Sequence, residues 1–336
     1  MVQGTDLAAI DAELAALVIP TGEDTFIKAE GLSIANEVQP TLEYHPETDT
    51  FTNVETGTVY TDNDEGSYES ATGALLEPGW KTHVGFANFS TILTDPLVRD
   101  PFVRVFIWTF AYAALSVFIQ FALGLFVAIV LNKPDLRLKR VQRSLLVLPF
   151  AIPAFLSVLV WAGLLNDEFG VVNETLGTSI PWLFDPFWAR VSCILVNVWI
   201  GWPYWFLVCT AALQAVPQEL TEAAQVDGAG PLQVFRKVTL PLLLVVTAPL
   251  LIASFAFNYN LFNNIYFLTG GGPYGVEQAT AGSTDILISY TYKLAFSTGQ
   301  GAQYALAAAV SIFIFFIVAG ISAVSFWRTK GLETIR

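Results

Sequence analysis

The chain has 336 residues, of which 54% are hydrophobic and only 13% charged, and its formal net charge is −13. Soluble domains carry about 25% charged residues, so the shortfall points to surface that faces lipid. An acidic balance of this size argues against nucleic acid and anionic lipid as partners.

The charge is unevenly distributed. Residues 1–100 hold 18 acidic and three basic side chains, a net −15, whereas residues 101–336 hold 13 basic and 11 acidic, a net +2. The chain therefore reads as an acidic, water-exposed segment, 1–100, followed by a nearly neutral membrane segment, 101–336. Within the first, residues 7–18 are patterned for a short amphipathic helix. Phe51–Tyr60 reads as two short strands around a Glu-Thr-Gly turn, and residues 61–70 as a polar loop. The only histidines, His45 and His83, fall here and read as surface residues. No basic region followed by an apolar one opens the chain, so no signal peptide is expected. The segment is expected to be a small extracellular cap with some β structure.

Five stretches free of Asp, Glu, Lys and Arg are long enough to cross a bilayer, which takes roughly 17–25 apolar residues. They are Val105–Leu131, Ser144–Leu165, Val191–Leu213, Leu242–Leu268 and Tyr304–Trp327. The expected fold class is therefore an all-α polytopic membrane protein. Cys193 and Cys209 lie in one such stretch, roughly 24 Å apart if it is helical, too far to bridge and without metal-ligand spacing. The segments Asn132–Arg143 and Pro217–Pro241 and the tail after Trp327 carry ten of the 16 basic residues. The positive-inside rule places them in the cytoplasm, with the acidic segment outside and the C-terminus inside.

The third and fourth spans are joined by Pro217–Pro241, which reads as two short helices. Pro217 suits a first helical turn, and Leu220, Ala223 and Ala224 share a face. Asp227–Gly230 breaks the chain and Pro231 restarts it. Leu232, Phe235 and Val238 form a second apolar stripe, and Pro241 is expected to end it at the membrane. Composition alone leaves open a helical knob in the cytoplasm or an amphipathic helix lying on the bilayer.

Polar groups inside spans usually face the bundle interior. Asn197, Gly201 and Tyr204 are spaced i, i+4, i+7 on the third span, and Ser254, Phe257 and Asn258 i, i+3, i+4 on the fourth, so each set shares one face. Gly201 is expected to leave room beside the amide and phenol for an uncharged, polyhydroxylated solute. The alternative is that these groups only bond helix to helix, as membrane bundles commonly do. Asn260, Asn263 and Asn264 follow, to line an outer pathway or to bond neighbouring helices. Phosphate-loop and HExxH motifs are absent, so an ATPase or other enzyme is not expected. Charged or carbonyl-lined pore segments of a channel are not evident either.

Glu222-Ala223-Ala224, Asp227-Gly228-Ala229, Phe235 and Leu240-Pro241 resemble, with complete spacing, the EAA motif of binding-protein-dependent ABC importer permeases. The resemblance implies the type I importer permease fold and a coupling helix docked in a cleft of a separate ATPase. Glu222 would bond the ATPase surface, while Asp227 and Gly228 shape the turn. It implies no cofactor in this chain, with ATP and magnesium held by the ATPase dimer.

Gly79–Phe89, Val147–Pro153, Ala253–Asn258, Leu268–Pro273 and Tyr290–Phe296 resemble the maltose/maltodextrin (MalF-like) type of permease subunit in particular. That resemblance implies three partners in a prokaryotic cell membrane: a second, MalG-like permease, the ATPase dimer and an extracytoplasmic sugar-binding protein. Asn197, Gly201, Tyr204, Ser254, Phe257 and Asn258 match its sugar-contacting positions. Phe150 and Ala154 stand where the family uses more polar side chains, and Leu261 replaces an Asn. The implied cargo is maltose, maltodextrin or a related oligosaccharide, with trehalose or another neutral solute as the alternative, and a non-transporting sensor or scaffold as a third reading. Members of this type carry further spans ahead of a large external loop, and Met1 falls inside that loop. The expectation is a fragment of a longer protein or a shortened permease.

Overall fold

A computed structural model of the chain describes residues 17–21, 25–29, 34–64, 66–132, 138–275, 281–296 and 303–333. The expected helix over 7–18 lies outside the described residues except for its last two, and Val18 opens a strand. The chain divides into two compact units, Met1–Gly85 and Phe86–Arg336. Residues 86–100, which composition groups with the acidic segment, belong to the helical unit.

The first unit holds two antiparallel sheets. One runs β1 (Val18–Pro20), β2 (Phe26–Ala29), β3 (Ala35–Val38); the other runs β4 (Leu42–His45), β5 (Thr50–Asn53), β6 (Val59–Asp62), β7 (Tyr68–Ser70). The expected hairpin is β5–β6, with Phe51 opposite Tyr60 and Gly57 at φ +67° in its turn. The expected loop over 61–70 has strand at both ends: Thr61 and Asp62 close β6 and Tyr68–Ser70 form β7, paired Thr61 to Glu69 and Asp62 to Tyr68. Its side chains are almost all polar, so no alternation of apolar and polar residues marks it as a strand. Tyr44, Phe51, Tyr68 and Trp80 form a continuous row of rings with centroids 4.8–5.1 Å apart. Tyr68 and Tyr44 both donate to Asp49 Oδ1, at 2.6 and 2.8 Å, which holds that carboxyl below the usual range.

The second unit is helical. After α1 (Ala87–Thr94), α2 (Pro96–Leu131) starts on an Asp-Pro pair: Asp95 Oδ1 accepts from the Leu97 N–H at 2.9 Å and Pro96 fills the first turn. Asp-Pro also opens α6 (Pro186–Gln214), where Asp185 caps the N–H groups of Phe187 and Trp188. Such pairs satisfy donors that a helix start leaves open and supply a preset φ.

The second expected span is broken. α3 (Lys139–Val147) passes through a 3-10 turn, Leu148–Ala151, and the chain then bends by 90° into α4 (Ala154–Leu164). Ile152 is extended, at ψ 131°, because Pro153 disfavours a helical residue before it. A short α5 (Val171–Leu176) precedes α6, and α7 (Gln218–Val226) follows it.

The expected stop at Pro241 is also overturned. α8 (Pro231–Tyr259) is one helix of 29 residues that continues through it. Its turn Phe235–Thr239 is a π-helix, and the Leu240 N–H reaches Phe235 O, five residues back. A wider turn ahead of a proline accommodates the missing N–H without breaking the rod. The rod ends at Asn260-Leu261, short of the expected Leu268, and α9 (Phe262–Leu268) resumes beyond. α10 (Leu287–Phe296) and α11 (Tyr304–Glu333) complete the unit. Among the described residues, four helices are long and apolar enough to cross a membrane, and the bent pair makes a fifth crossing if counted as one span.

Candidate functional site

Two backbone breaks, at Ile152-Pro153 and at Asn260-Leu261, lie beside a single cavity of about 530 Å³. Irregular backbone inside a membrane is tolerated where protein buries it or where it lines a cavity. All six residues picked out by spacing line this one space: Asn197, Gly201 and Tyr204 from α6, and Ser254, Phe257 and Asn258 from α8. Phe150, Ala154, Leu261, Trp205 and Asn264 also border it, as does Gln120 from α2.

The amides form a chain of hydrogen bonds across four helices. Gln120 Nε2 donates to Asn197 O at 2.9 Å, Asn197 Nδ2 to Asn258 Oδ1 at 2.7 Å, and Asn264 Nδ2 to Asn197 Oδ1 at 3.2 Å. Asn258 Nδ2 turns back to Ser254 O at 2.8 Å. A helix-to-helix role is thus present for Asn197 and Asn258, which also form the wall. Asn197 and Asn258 are almost wholly buried, whereas Phe257 is 66% exposed. No residue of the lining carries a formal charge.

Gly201 requires a correction. A Cβ there would fall inside the Gln120 amide, within 2.7 Å of Oε1, so the room this glycine leaves is filled by protein. Gln120 itself was legible: Thr109, Tyr112, Ser116 and Gln120 mark one face of α2 at helical spacing, and all four are buried. This face lies on the first span, outside the polar faces of the third and fourth. Of the three later asparagines, Asn264 joins the wall, Asn260 bonds back to Ala256 O, and Asn263 is exposed.

A second region is built on the EAA-like residues. α7 ends in a Schellman motif: Ala229 N–H bonds to Ala224 O at 2.9 Å and Gly228 N–H to Gln225 O at 3.0 Å, with Gly228 at φ +84°. Gln233 Oε1 accepts from the Gly230 N–H at 3.1 Å, securing the start of α8. Glu222, Ala223 and Asp227 are exposed, Ala224 and Ala229 half-buried. Leu220, Val226 and Leu232 expose apolar surface beside them. Phe235 and Leu240 instead pack inward against a core that includes Leu125, Trp205 and Cys209. Pro241 continues the rod.

The model of the family described as "Binding-protein-dependent transport system inner membrane component" matches residues 120–327. The chain belongs to this family. The match takes in both the cavity and the EAA-like region. As a member of this family with several apolar helices, the chain is a multi-pass membrane protein.

Maltose/maltodextrin transport system permease protein MalF of Escherichia coli K12 is 41% identical over 293 residues, 84% of this chain and 57% of that protein. The protein of the same name from Photorhabdus laumondii is 37% identical over 326 residues, 94% of this chain and 62% of that one. The chain thus spans under two thirds of the length of these relatives. Among solved structures, a bacterial ABC transporter that imports the acidic polysaccharide alginate is similar, with TM-score 0.61 and 25% identity over 74% of this chain and 85% of that one. The same kind of transporter with an alginate-bound periplasmic protein gives TM-score 0.59 over 72% and 81%. The type I importer permease fold is therefore shared.

Family members are membrane subunits, and in this one a buried ion pair organises the segment around Asp285. Asp285, fully buried, receives Lys293 Nζ at 2.6 and 2.8 Å, Ser289 Oγ at 2.8 Å and the Gly282 N–H at 2.7 Å. Gly271 and Gly282 lie so close to this carboxylate and to each other that neither has room for a side chain. Tyr274 Oη also meets Lys293. Trp108 Nε1 donates to Thr284 O and Arg190 Nε to Ser283 O, which ties the segment to α2 and α6.

Proposed function

We propose that this chain is a permease subunit of an ATP-driven importer of neutral oligosaccharides of the maltose/maltodextrin kind. The observation that carries the reading is the lining of the cavity. Its amides and hydroxyls offer uncharged donors and acceptors, and the exposed Phe257 ring offers a flat surface for the apolar face of a sugar. A solute with carboxylates, such as the alginate of the neighbouring transporter, would find no cation there to pair with. The MalF relatives support the sugar class, and trehalose or another small neutral glycoside is the second candidate.

In this reading Asn197, Tyr204, Ser254, Phe257 and Asn258 contact the sugar, and Gly201 shapes the wall behind it. Glu222 through Ala229, with its exposed apolar neighbours, docks on an ATPase dimer that holds ATP and magnesium. A second permease completes the pathway, and an external sugar-binding protein delivers cargo. The basic segments then lie in the cytoplasm and the acidic β unit outside.

Uptake of radiolabelled maltose and maltotriose into proteoliposomes containing the chain and these partners tests the assignment. Asn258→Ala removes one hydrogen-bonding partner of the sugar and is expected to cut uptake about tenfold. Unchanged uptake and unchanged sugar-stimulated ATP hydrolysis would remove Asn258 from the sugar site. ATP turnover without sugar accumulation would favour a sensor instead.

A further inference from the structure

Gln120 is the only amide in α2. It is 3% exposed, although it borders the cavity. Its Nε2–H bonds to the backbone oxygen of Asn197, and its side chain fills the place where a Cβ of Gly201 would stand. One turn along α2 the contact is reciprocated: a Cβ on Gly124 would lie 2.6 Å from the Trp205 Cβ and the Phe206 nitrogen. The two helices are therefore keyed, with Gln120 over Gly201 and Gly124 under Trp205. Slippage of either would force heavy atoms together, so the key sets the register of α2 on α6.

The turn that Gln120 holds is the hub of the amide chain. Asn197 donates to Asn258 on α8 and accepts from Asn264 on α9, so a shift of its backbone moves polar groups on two further helices. We propose that Gln120 is a positioning residue for the sugar: it fixes the Asn197–Gly201 turn and, as part of the wall, sets which sugars the cavity accepts. This rests on the sugar reading of the cavity. The chemistry requires an amide of this length. Glutamate would set a carboxylate against the Asn197 carbonyl, and leucine fills similar space without donating.

The test is uptake selectivity in the complete reconstituted transporter. Rates for maltose, maltotriose and trehalose are compared for wild type, Gln120→Leu and Gln120→Glu. A displaced Asn197 changes the match to each sugar differently, so the maltose-to-trehalose ratio is expected to move by about tenfold in Gln120→Leu, the scale of one misplaced hydrogen bond. A purely structural defect would lower all three rates in proportion, and that result overturns the inference, as does an unchanged ratio. Wild-type transport of none of these sugars would overturn the sugar reading first and the inference with it; normal wild-type transport with an unshifted ratio overturns the inference alone. Should Gln120→Leu fail to fold, the pair of variants Gly201→Ala and Gln120→Ala/Gly201→Ala decides the matter. Truncating Gln120 frees the space that the methyl added by Gly201→Ala needs, so the double variant is expected to recover yield lost in the single one while keeping an altered sugar ratio. A double variant that retains the wild-type ratio overturns the positioning role.

Discussion

At Gly228 the backbone stands at φ +84° with open space where a Cβ would sit, so only conformation restricts this position. A left-handed turn costs an ordinary L-residue roughly 1–2 kcal/mol, and asparagine tolerates it better than most. Proline is worse on two counts: its φ near −65° is on the wrong side, and it lacks the N–H that Gly228 gives to Gln225 O. Uptake per ATP hydrolysed is therefore expected to fall severely in Gly228→Pro and mildly in Gly228→Asn. Undiminished coupling in the proline variant would exclude this turn from energy transfer. Such residues were readable because a Gly after Asp227 at a helix end has one dominant physical use. Gly201 was misread for a related reason: a glycine in a span shows that something lies close, without showing whether that is a ligand or Gln120.

Among elements, the two broken spans show where reading by composition stops. An uncharged stretch satisfies the same length test whether it is straight or bent, so Ser144–Leu165 and Leu242–Leu268 both read as single helices. Pro153 held the signal for the first break; Asn260-Leu261 offers none as plain, and its position beside the cavity is known only from the fold. The Asp285–Lys293 pair was equally hidden, since it lies eight residues apart in a segment that composition marks as loop. Its burial makes a sharp expectation possible. Removing one member of a buried pair strands the other, at a cost on the order of 3–5 kcal/mol, whereas replacing both by apolar residues of similar size is often nearly neutral. Lys293, its side chain 16% exposed, has little water to turn to. Asp285→Asn is therefore expected to lower the thermal unfolding temperature of the detergent-purified complex markedly, and Asp285→Leu/Lys293→Met to recover much of the loss. Equal destabilisation by the single and double variants would show that hydrogen bonds to Ser289 and Gly282, rather than the charge pair, hold the segment.

Across the whole helical unit, the decisive link is the continuity of α8. Pro231, at the EAA-like turn, and Asn258, in the cavity wall, belong to one rod, roughly 43 Å long at ~1.5 Å per residue. Had the helix ended at Pro241, the turn and the cavity would have been joined through a hinge, and motion at one would reach the other only loosely. In the proposed coupling, with the π-turn absorbing Pro241 and with Phe235 and Leu240 packed on the core beside Trp205, a displacement of the turn would be carried along the rod to Ser254, Phe257 and Asn258. Asn258 accepts a hydrogen bond from Asn197, so α6 would be drawn into the same movement. Coupling should then depend on the stiffness of the rod as much as on the docking residues. Two glycines inserted between Thr239 and Leu240 leave both the turn and the cavity chemically intact but interrupt the helix and rotate one part against the other by about 200°. The expected outcome is an assembled transporter in which ATP hydrolysis no longer responds to sugar and uptake is lost. Two alanines at the same place impose the same rotation while keeping the helix stiff, so comparing the pair separates rigidity from register. If the glycine insertion still couples sugar to ATP at the wild-type ratio, α8 is not the lever, and the signal must pass through α2 and the amide chain instead.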